Sequence, residues 1–269
     1  MTVLILASTT DPASANIAGI LVRNFGLREV ELSGERVRCK KDDIILTYIE
    51  ADIPSIRGLE VDCCIESVIC LSRHSSESGR PTLTAHAPGN LGPQAESGGV
   101  PRTLAWADPH RLRSALIELH ESSSQARLGY SVSLEATHHG PTGLQKPVTF
   151  IEIGSTPEQW LSLKAGEAAA AAAIKAAKER SLGTAAVGFG GGHYSPRHTA
   201  AVISGGLAIG HIIPEYFFED YDPRVVEQAF SKTVGECRTA AIDWKGLKSD
   251  ARKRLISTLE GLGVGWVRV

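Results

Sequence analysis

Cysteine is scarce in this chain and badly placed for bridging. The five that occur, Cys39, Cys63, Cys64, Cys70 and Cys237, form no CxxC pair and leave one over in any pairing scheme. Three of them fall in the apolar stretch from Val61 to Leu71, where a reduced thiol packs as a small hydrophobe. No apolar run approaches the roughly 18 to 20 residues that span a bilayer. The opening residues, Met1 to Leu6, have neither the basic start nor the small-residue cleavage site of a signal peptide. They read as the first buried strand of a cytoplasmic protein with no membrane association. Charge of one sign is not in excess either: the formal net charge is −2, so any contact with nucleic acid must come from local basic patches. There is no internal repeat, no HExxH motif and no Walker A loop.

The material of a folded soluble protein is present. Hydrophobic residues fill 42% of the 269 positions and charged residues 22%, enough to bury a large core in one α/β domain or two small ones. Val3 to Ala7 is a short apolar run, followed by a helical pattern through Ile17, Ile20, Leu21 and Phe25. Arg36 to Tyr48 reads as a hairpin turning at Lys40 to Asp43, and Cys64 to Leu71 and Thr82 to Ala85 read as strands. Asp11-Pro12, Asp108-Pro109, Thr156-Pro157 and Asp222-Pro223 each place a capping oxygen before a proline at the first helical position. The alanine-rich run Ala165 to Ala177 continues the third of these helices. Strands at Thr184 to Phe189 and Leu207 to Ile213 follow, then two helices and a last strand at Val264 to Val269. Such alternation predicts an α/β fold, a mostly parallel or mixed sheet with helices on both faces, in a single domain over residues 1–269. The Gly/Pro-rich stretch at about 88–105 is the best place for a long mobile loop.

Five of the nine histidines occupy equivalent places. His86 follows the strand ending at Ala85, His138 and His139 follow Ser131 to Thr137, and His193 and His198 follow the strand ending at Phe189. If those strands are parallel, all five imidazoles gather at their carboxyl ends, where open α/β sheets place ligand crevices. Glu152 interrupts a run otherwise fit for burial, Val148 to Ile153, where a charged carboxylate is costly unless paired, protonated or bound to a cation. Residues two apart on a strand share a face. Glu135, Thr137 and His139 therefore point together and His138 points away, unless the chain turns at His138, as Gly140-Pro141 allows. Neutral imidazoles and carboxylates are the usual ligands of zinc, although the spacing matches no compact zinc motif.

The run Gly190-Gly191-Gly192 before His193 has two readings. Its amides can approach a terminal phosphate or an oxyanion, helped by a helix starting near Ser195-Pro196. Equally, it can be a tight strand-to-helix turn that needs positive φ angles. Basic residues cluster at Lys245, Lys248, Arg252, Lys253 and Arg254, and Arg73 and Arg80 flank a polar loop. On a helix the first group reads foremost as a solvated face and secondly as phosphate contacts.

Several segments together resemble a known family. They are Glu135-Ala-Thr-His-His-Gly-Pro-Thr142, Pro147-Val-Thr-Phe-Ile-Glu-Ile-Gly-Ser-Thr-Pro-Glu-Gln-Trp160, Gly190-Gly-Gly-His-Tyr-Ser-Pro-Arg-His-Thr199 and Gly210-His-Ile-Ile-Pro-Glu-Tyr216. Asp11-Pro-Ala-Ser-Ala-Asn-Ile17 and Ser72-Arg-His-Ser-Ser-Glu-Ser-Gly-Arg-Pro81, leading to His86, belong with them. The pattern resembles the archaeal and plant type of D-aminoacyl-tRNA deacylase, the zinc-dependent D-tyrosyl-tRNA deacylase family. The resemblance implies an α/β fold related to peptidyl-tRNA hydrolase and the phosphorylase-like group. It implies a cytoplasmic, zinc-dependent hydrolase that cuts the ester between a D-amino acid and tRNA, keeping D-amino acids out of translation, with tRNA as partner and no obligate protein partner.

On this reading His86, His139, Glu152, His193 and His198 hold zinc, and His138 or Glu135 orients or deprotonates the attacking water. Arg73, Ser76, Asn90, Gly190, Gly191 and Gly192 contact the substrate, the glycine amides or zinc stabilising the anionic tetrahedral intermediate. A metal-dependent amidase or esterase acting on a small metabolite would use the same histidines without RNA. A tRNA-binding module without catalysis would not need them.

Overall fold

A computed structural model describes residues 2–30, 38–41, 43–59 and 65–269. In chain order the elements are β1 (Thr2–Ser8), α1 (Pro12–Phe25), β2 (Arg28–Val30), β3 (Arg38–Lys41), β4 (Ile44–Ile49), β5 (Ile65–Ser75), β6 (Thr82–His86), β7 (Gly89–Asn90), β8 (Thr103–Leu104), α2 (Pro109–Gln125) and β9 (Ser131–Leu134). There follow β10 (Val148–Ser155), α3 (Pro157–Trp160), α4 (Leu163–Lys178), β11 (Thr184–Phe189), α5 (Pro196–Ile203), β12 (Leu207–Ile213), α6 (Pro223–Ser231), β13 (Thr239–Ile242), α7 (Ser249–Gly261) and β14 (Gly265–Arg268).

Helices start where the capping chemistry puts them. The Asp11 carboxylate accepts the Ala13 and Ser14 amides at 2.9 and 3.0 Å, Asp108 accepts those of His110 and Arg111 at 3.0 and 3.2 Å, and Asp222 accepts that of Arg224 at 3.0 Å. Each satisfies amides that a first turn leaves unpaired. The alanine run does not continue the helix that begins at Pro157. That helix stops after one turn, and the Ser162 hydroxyl accepts the Ala165 amide at 3.3 Å to begin α4 afresh. The predicted hairpin is formed by β3 and β4; Arg36, Val37 and Asp42 of that segment lie outside the described residues, as do Cys64 at the start of the next predicted strand and Val61 and Cys63 before it.

Eight strands form a sheet in the order β2-β3-β4-β1-β5-β10-β6-β9, and a second, parallel sheet has the order β12-β11-β13-β14. Strands β4, β1, β5 and β10 run parallel, but β6 is antiparallel to β10 and carries β9 with it. The strands behind His86, His138 and His139 are thus parallel to each other but reversed against β10, so the sheet is mixed. The loop from β5 to β6 is only six residues long, and a connection so short returns the chain antiparallel, here leaving a gap that β10 fills. Strand β13 was not anticipated, because Thr239 to Ile242 is too short to stand out from its surroundings.

One face of the large sheet packs beneath α1, α2 and α4. Ile17, Leu21, Leu112, Leu116, Ala169 and Ala173 meet Ile5, Leu71, Leu83, Ile151 and Ile153 there, and the same cluster continues into Ile209, Ile212 and Ala241 of the small sheet. Alanines let α4 lie close to its neighbours. On the far face of the small sheet, Val225 and Val226 of α6 and Leu255 and Leu259 of α7 cover Val187, Phe189 and Ile242. The other face of the large sheet, with Leu6, Cys70 and Phe150, is covered by loops that bring in Ala105 and Leu144. The Gly/Pro-rich segment, read from composition as mobile, is tied down: β7 pairs with β8, Asn90 donates to the Gly98 and Val100 carbonyls at 2.8 and 3.3 Å, and the Val100 amide donates to Thr142 Oγ1 at 2.9 Å.

Past β9 the chain stitches the two sheets together. The amides of Ala136 and Thr137 donate to the carbonyls of His193 and Ile212, both at 2.8 Å, and the Ser195 amide returns to the Leu134 carbonyl at 3.1 Å. No helix among the described residues is long and apolar enough to cross a membrane.

Candidate active site

Strand register explains why polar side chains collect on one face of the large sheet. Glu152 of β10 stands beside Ser72 of β5 and Thr84 of β6, which in turn stands beside Ser133 of β9. One step along, Gly154 faces His74 on one side and Thr82 on the other; one step back, Phe150 faces His86. Opposed residues share a face, so His74, Glu152 and His86 all rise from it. A Cβ at position 154 would meet the His74 Cβ at 2.9 Å and its Cδ2 at 2.8 Å. The glycine therefore makes the room that the imidazole occupies.

Glu135 comes next, one residue past β9 and wholly buried. Its carboxylate lies 3.1 Å from His74 Nδ1, 3.6 Å from His138 Nε2 and 3.2 Å from His193 Nε2. Glu152 lies 3.6 Å from His74 Nδ1 and 3.7 Å from His86 Nε2. His138 and His139 are brought together by the turn that Gly140 allows, with His139 at φ +44°. Their rings pack on His86 with centroids 4.3 and 4.9 Å away. His74, His86, Glu135 and Glu152 make a buried floor, and His138, His139, His193 and Tyr194 a half-buried rim.

His138 Nδ1 stands 2.8 Å from the Ala136 carbonyl and His139 Nδ1 stands 2.6 Å from that of Gly140. A carbonyl only accepts, so each Nδ1 carries the proton and each Nε2 turns a bare lone pair into the cluster. For His138 that lone pair faces the Glu135 carboxylate, an arrangement that is repulsive without a cation or proton between them. Both Glu135 oxygens and both His86 nitrogens are buried with no properly directed hydrogen bond, where such atoms normally have partners. Three overlapping groups can hold a metal ion: His86, His138 and His139; His74, Glu135 and His193; and His86, Glu135 and Glu152. The residues present fit a divalent cation.

The local field is negative below and short of protons above. Burial alone would raise Glu135, but the His193 contact and the surrounding imidazoles overcome it and bring its pKa down to about 2. Glu152 is likewise lowered against the effect of burial, by His74 and His86. Burial would lower His74 and His86, yet Glu152 beside them raises both. Burial, with His86 next in effect, holds His139 down to about 4 and His138 well below its ordinary range. A site that favours positive charge next to unprotonated imidazoles is what a metal ion needs.

The structure brings together His86, His138, His139, His193, Glu135 and Glu152 of the expected set, and leaves His198 out. That residue lies in the first turn of α5, fully buried, and its Nε2–H donates to the Ala241 carbonyl at 3.1 Å beneath the small sheet. Asn90 is occupied in closing its own loop. The amides of Gly190 and Gly191 already donate to the Ile213 and Gly246 carbonyls at 2.8 and 2.9 Å, so these glycines form the tight turn and not an anion cradle. Gly192 is exposed beside them, Arg73 is exposed with its guanidinium over the Trp160 ring, and Ser76 is half-buried against Ser78.

His74 and Tyr194 were missed. The Tyr194 hydroxyl lies 2.7 Å from His74 Nε2, and burial raises the phenol's pKa. The strand was read as ending at Leu71, whereas β5 runs on to Ser75. The alternation Cys70, Ser72, His74 continues the face of the strand and was the available signal.

A family model described as D-aminoacyl-tRNA deacylase matches residues 62–267. A D-aminoacyl-tRNA deacylase of Pyrococcus furiosus is 35% identical over 98% of this chain and 99% of its own length. Those of Thermococcus kodakarensis and Aeropyrum pernix are 37% and 38% identical, each over 98% of this chain. Among solved structures, the crystal structure of AF0625, a conserved protein of unknown function, superposes with a TM-score of 0.90 at 29% identity, covering 99% of this chain and 95% of that one. Matched by the family model over most of its length and by relatives end to end, the chain belongs to the D-aminoacyl-tRNA deacylase family.

Proposed function

We propose that this protein is a hydrolase that cuts the ester between a D-amino acid and tRNA, releasing both and keeping D-amino acids out of translation. The observation that carries the reading is the buried Glu135–Glu152 pair ringed by five imidazoles in a chain of this family. A small-metabolite esterase would need the same groups, but family membership does not favour it.

His86, His138 and His139 are our choice of zinc ligands, because two of the three have Nδ1 anchored to carbonyls and Nε2 free. This moves His138 from proton transfer to the ligand set, and takes Glu152 and His193 out of it. Zinc held there would supply a Lewis acid and would make a nearby water easier to deprotonate. Glu135, ionised and 3.6 Å from His138, orients the attacking water and takes up its proton. His193 and His74 brace the two Glu135 oxygens, and Glu152 braces His74 and His86. Tyr194 donates its hydroxyl to His74 and closes the rim. Glu135 then returns the water's proton to the leaving ribose oxygen of the terminal adenosine, which departs as the hydroxyl. Arg73, near the end of β5, and Ser76, just past it, are our candidates for substrate contact.

We propose further that residues 1–269 act as one domain, a reading supported by the hydrophobic cluster shared between the two sheets, and that the protein works in the cytoplasm, where its tRNA substrate is used. The test is the initial deacylation rate of D-tyrosyl-tRNA beside L-tyrosyl-tRNA. Rapid release of the D form alone is expected, and equal or absent release of both refutes the activity. Chelation is expected to abolish turnover and strip zinc found by elemental analysis, with both restored by added zinc; full activity in metal-free protein refutes the zinc assignment.

A further inference from the structure

Parallel pairing in the small sheet places all its carboxyl ends on one rim. The loop after β11 carries His193 and Tyr194 there, and the loop after β12 carries Tyr216. The loop after β13 carries Trp244 and Lys245, and β14 ends at Arg268. The first and third of these loops touch, the Gly191 amide donating to the Gly246 carbonyl at 2.9 Å. Two strand spacings, about 10 Å, separate β11 from β14 along the rim.

Every residue of edge strand β14 is exposed. Trp266 and Arg268 share a face of it, being opposed to Ala240 and Ile242. The Arg268 guanidinium lies 3.8 Å from the centroid of Trp244 and 5.8 Å from that of Trp266, and the two indoles stack at 5.4 Å with 23° between their planes. Arg252 lies 5.0 Å from the same Trp244 ring. Even with Trp244 stacked on it, Trp266 is still 38% exposed, a large indole at a sheet edge. Lys245, on the loop after β13, and Lys253, on α7, are exposed as well. Of the nearby acids, Glu215 is paired with Lys248 at 3.0 Å and Asp243 accepts the Gly246 amide at 2.9 Å.

We infer that Trp266 and Arg268, ordered by Trp244, form a stacking platform for the unpaired 3′ end of tRNA on its way to the catalytic cluster. This rests on the proposed activity, which places the terminal ribose at that cluster. Single-stranded nucleic acid is held without sequence readout by aromatic faces interleaved with cationic groups, since every base has a π face and every nucleotide a phosphate. The exposed indole supplies the face and Arg268, with Lys245, the charge. A chain with net charge of −2 needs such a local patch to hold a polyanion.

The test compares Trp266→Ala, Trp266→Phe and Arg268→Glu with the unaltered protein on two substrates, D-tyrosyl-tRNA and 3′-O-D-tyrosyladenosine, which has the ester but no further nucleotides. For tRNA, KM is expected to rise roughly ten-fold in Trp266→Ala and Arg268→Glu, by the loss of one stacked base or one phosphate contact. Trp266→Phe is expected to stay near the unaltered value. Turnover of the nucleoside ester is expected to be the same in all. Unchanged KM for tRNA in both disruptive variants overturns the platform, and so does an equal loss on both substrates, which marks a structural role. Failure of the unaltered protein to cleave D-tyrosyl-tRNA is a separate result and refutes the proposed activity instead.

Discussion

Among single residues, Glu135 carries the most charge chemistry in the least space. It is ionised, buried, and within 3.6 Å of three imidazoles. Glu135→Gln keeps its shape and removes the charge, so single-turnover deacylation should fall by about 10²- to 10⁴-fold, the range for lost acid–base assistance. A far-UV spectrum like that of the unaltered protein would show the fold retained, and a rate within a factor of three would remove Glu135 from the mechanism. His211 offers a different test, of stability. Its Nε2–H donates to the Ala105 carbonyl and its Nδ1 accepts from the Thr137 hydroxyl, each at 3.1 Å. Burial above all, with Lys232 adding to it, holds its pKa down to about 4. The unfolded chain takes up a proton near pH 6.5 that the folded one refuses, so this contribution is full above that pH and is lost as pH falls towards 4. The difference is roughly 3 kcal/mol. His211→Gln should therefore flatten the fall in unfolding free energy between about pH 7 and pH 4.5 by most of that amount, as read from denaturant titrations; parallel profiles would contradict it.

At the scale of elements, the glycine turn after β11 is the point most exposed to a small change. Gly190 has φ +94°, and a Cβ there would meet the Asp243 carbonyl oxygen and Leu247 Cγ, both at 2.9 Å. Gly190→Ala should cost about 1–3 kcal/mol in urea unfolding and slow deacylation too, because His193 hangs from the same turn. An unchanged midpoint would show that the turn relaxes freely. Much at this scale was legible from sequence. Capping carboxylates at Asp11, Asp108 and Asp222 act through their own local amides, so nothing distant can override them. Glu152 announced itself as a charge inside a buried strand. What was hidden depends on pairing: the reversed direction of β6, the extension of β5 that delivers His74, and the burial of His198 under β13 are settled by neighbours far along the chain. The glycine run was open to two readings because glycine permits both, and the partners of its amides decided between them.

Across the whole molecule, the site is an assembly of distant pieces. Residues 74, 86, 135, 138, 152 and 193 converge from five strands and two sheets, and contacts of such long sequence separation form late in folding. After dilution from denaturant, deacylation should return more slowly than the far-UV helical signal; simultaneous return would count against this order of events. The stitching of residues 134–137 onto the His193 loop and β12 has a corollary for the cell. A copy whose two sheets have parted loses the cluster they share and no longer has Glu135 facing His193. Such a damaged molecule is silent instead of indiscriminate, and the pool of correctly charged tRNA is safe from enzymes that are coming apart.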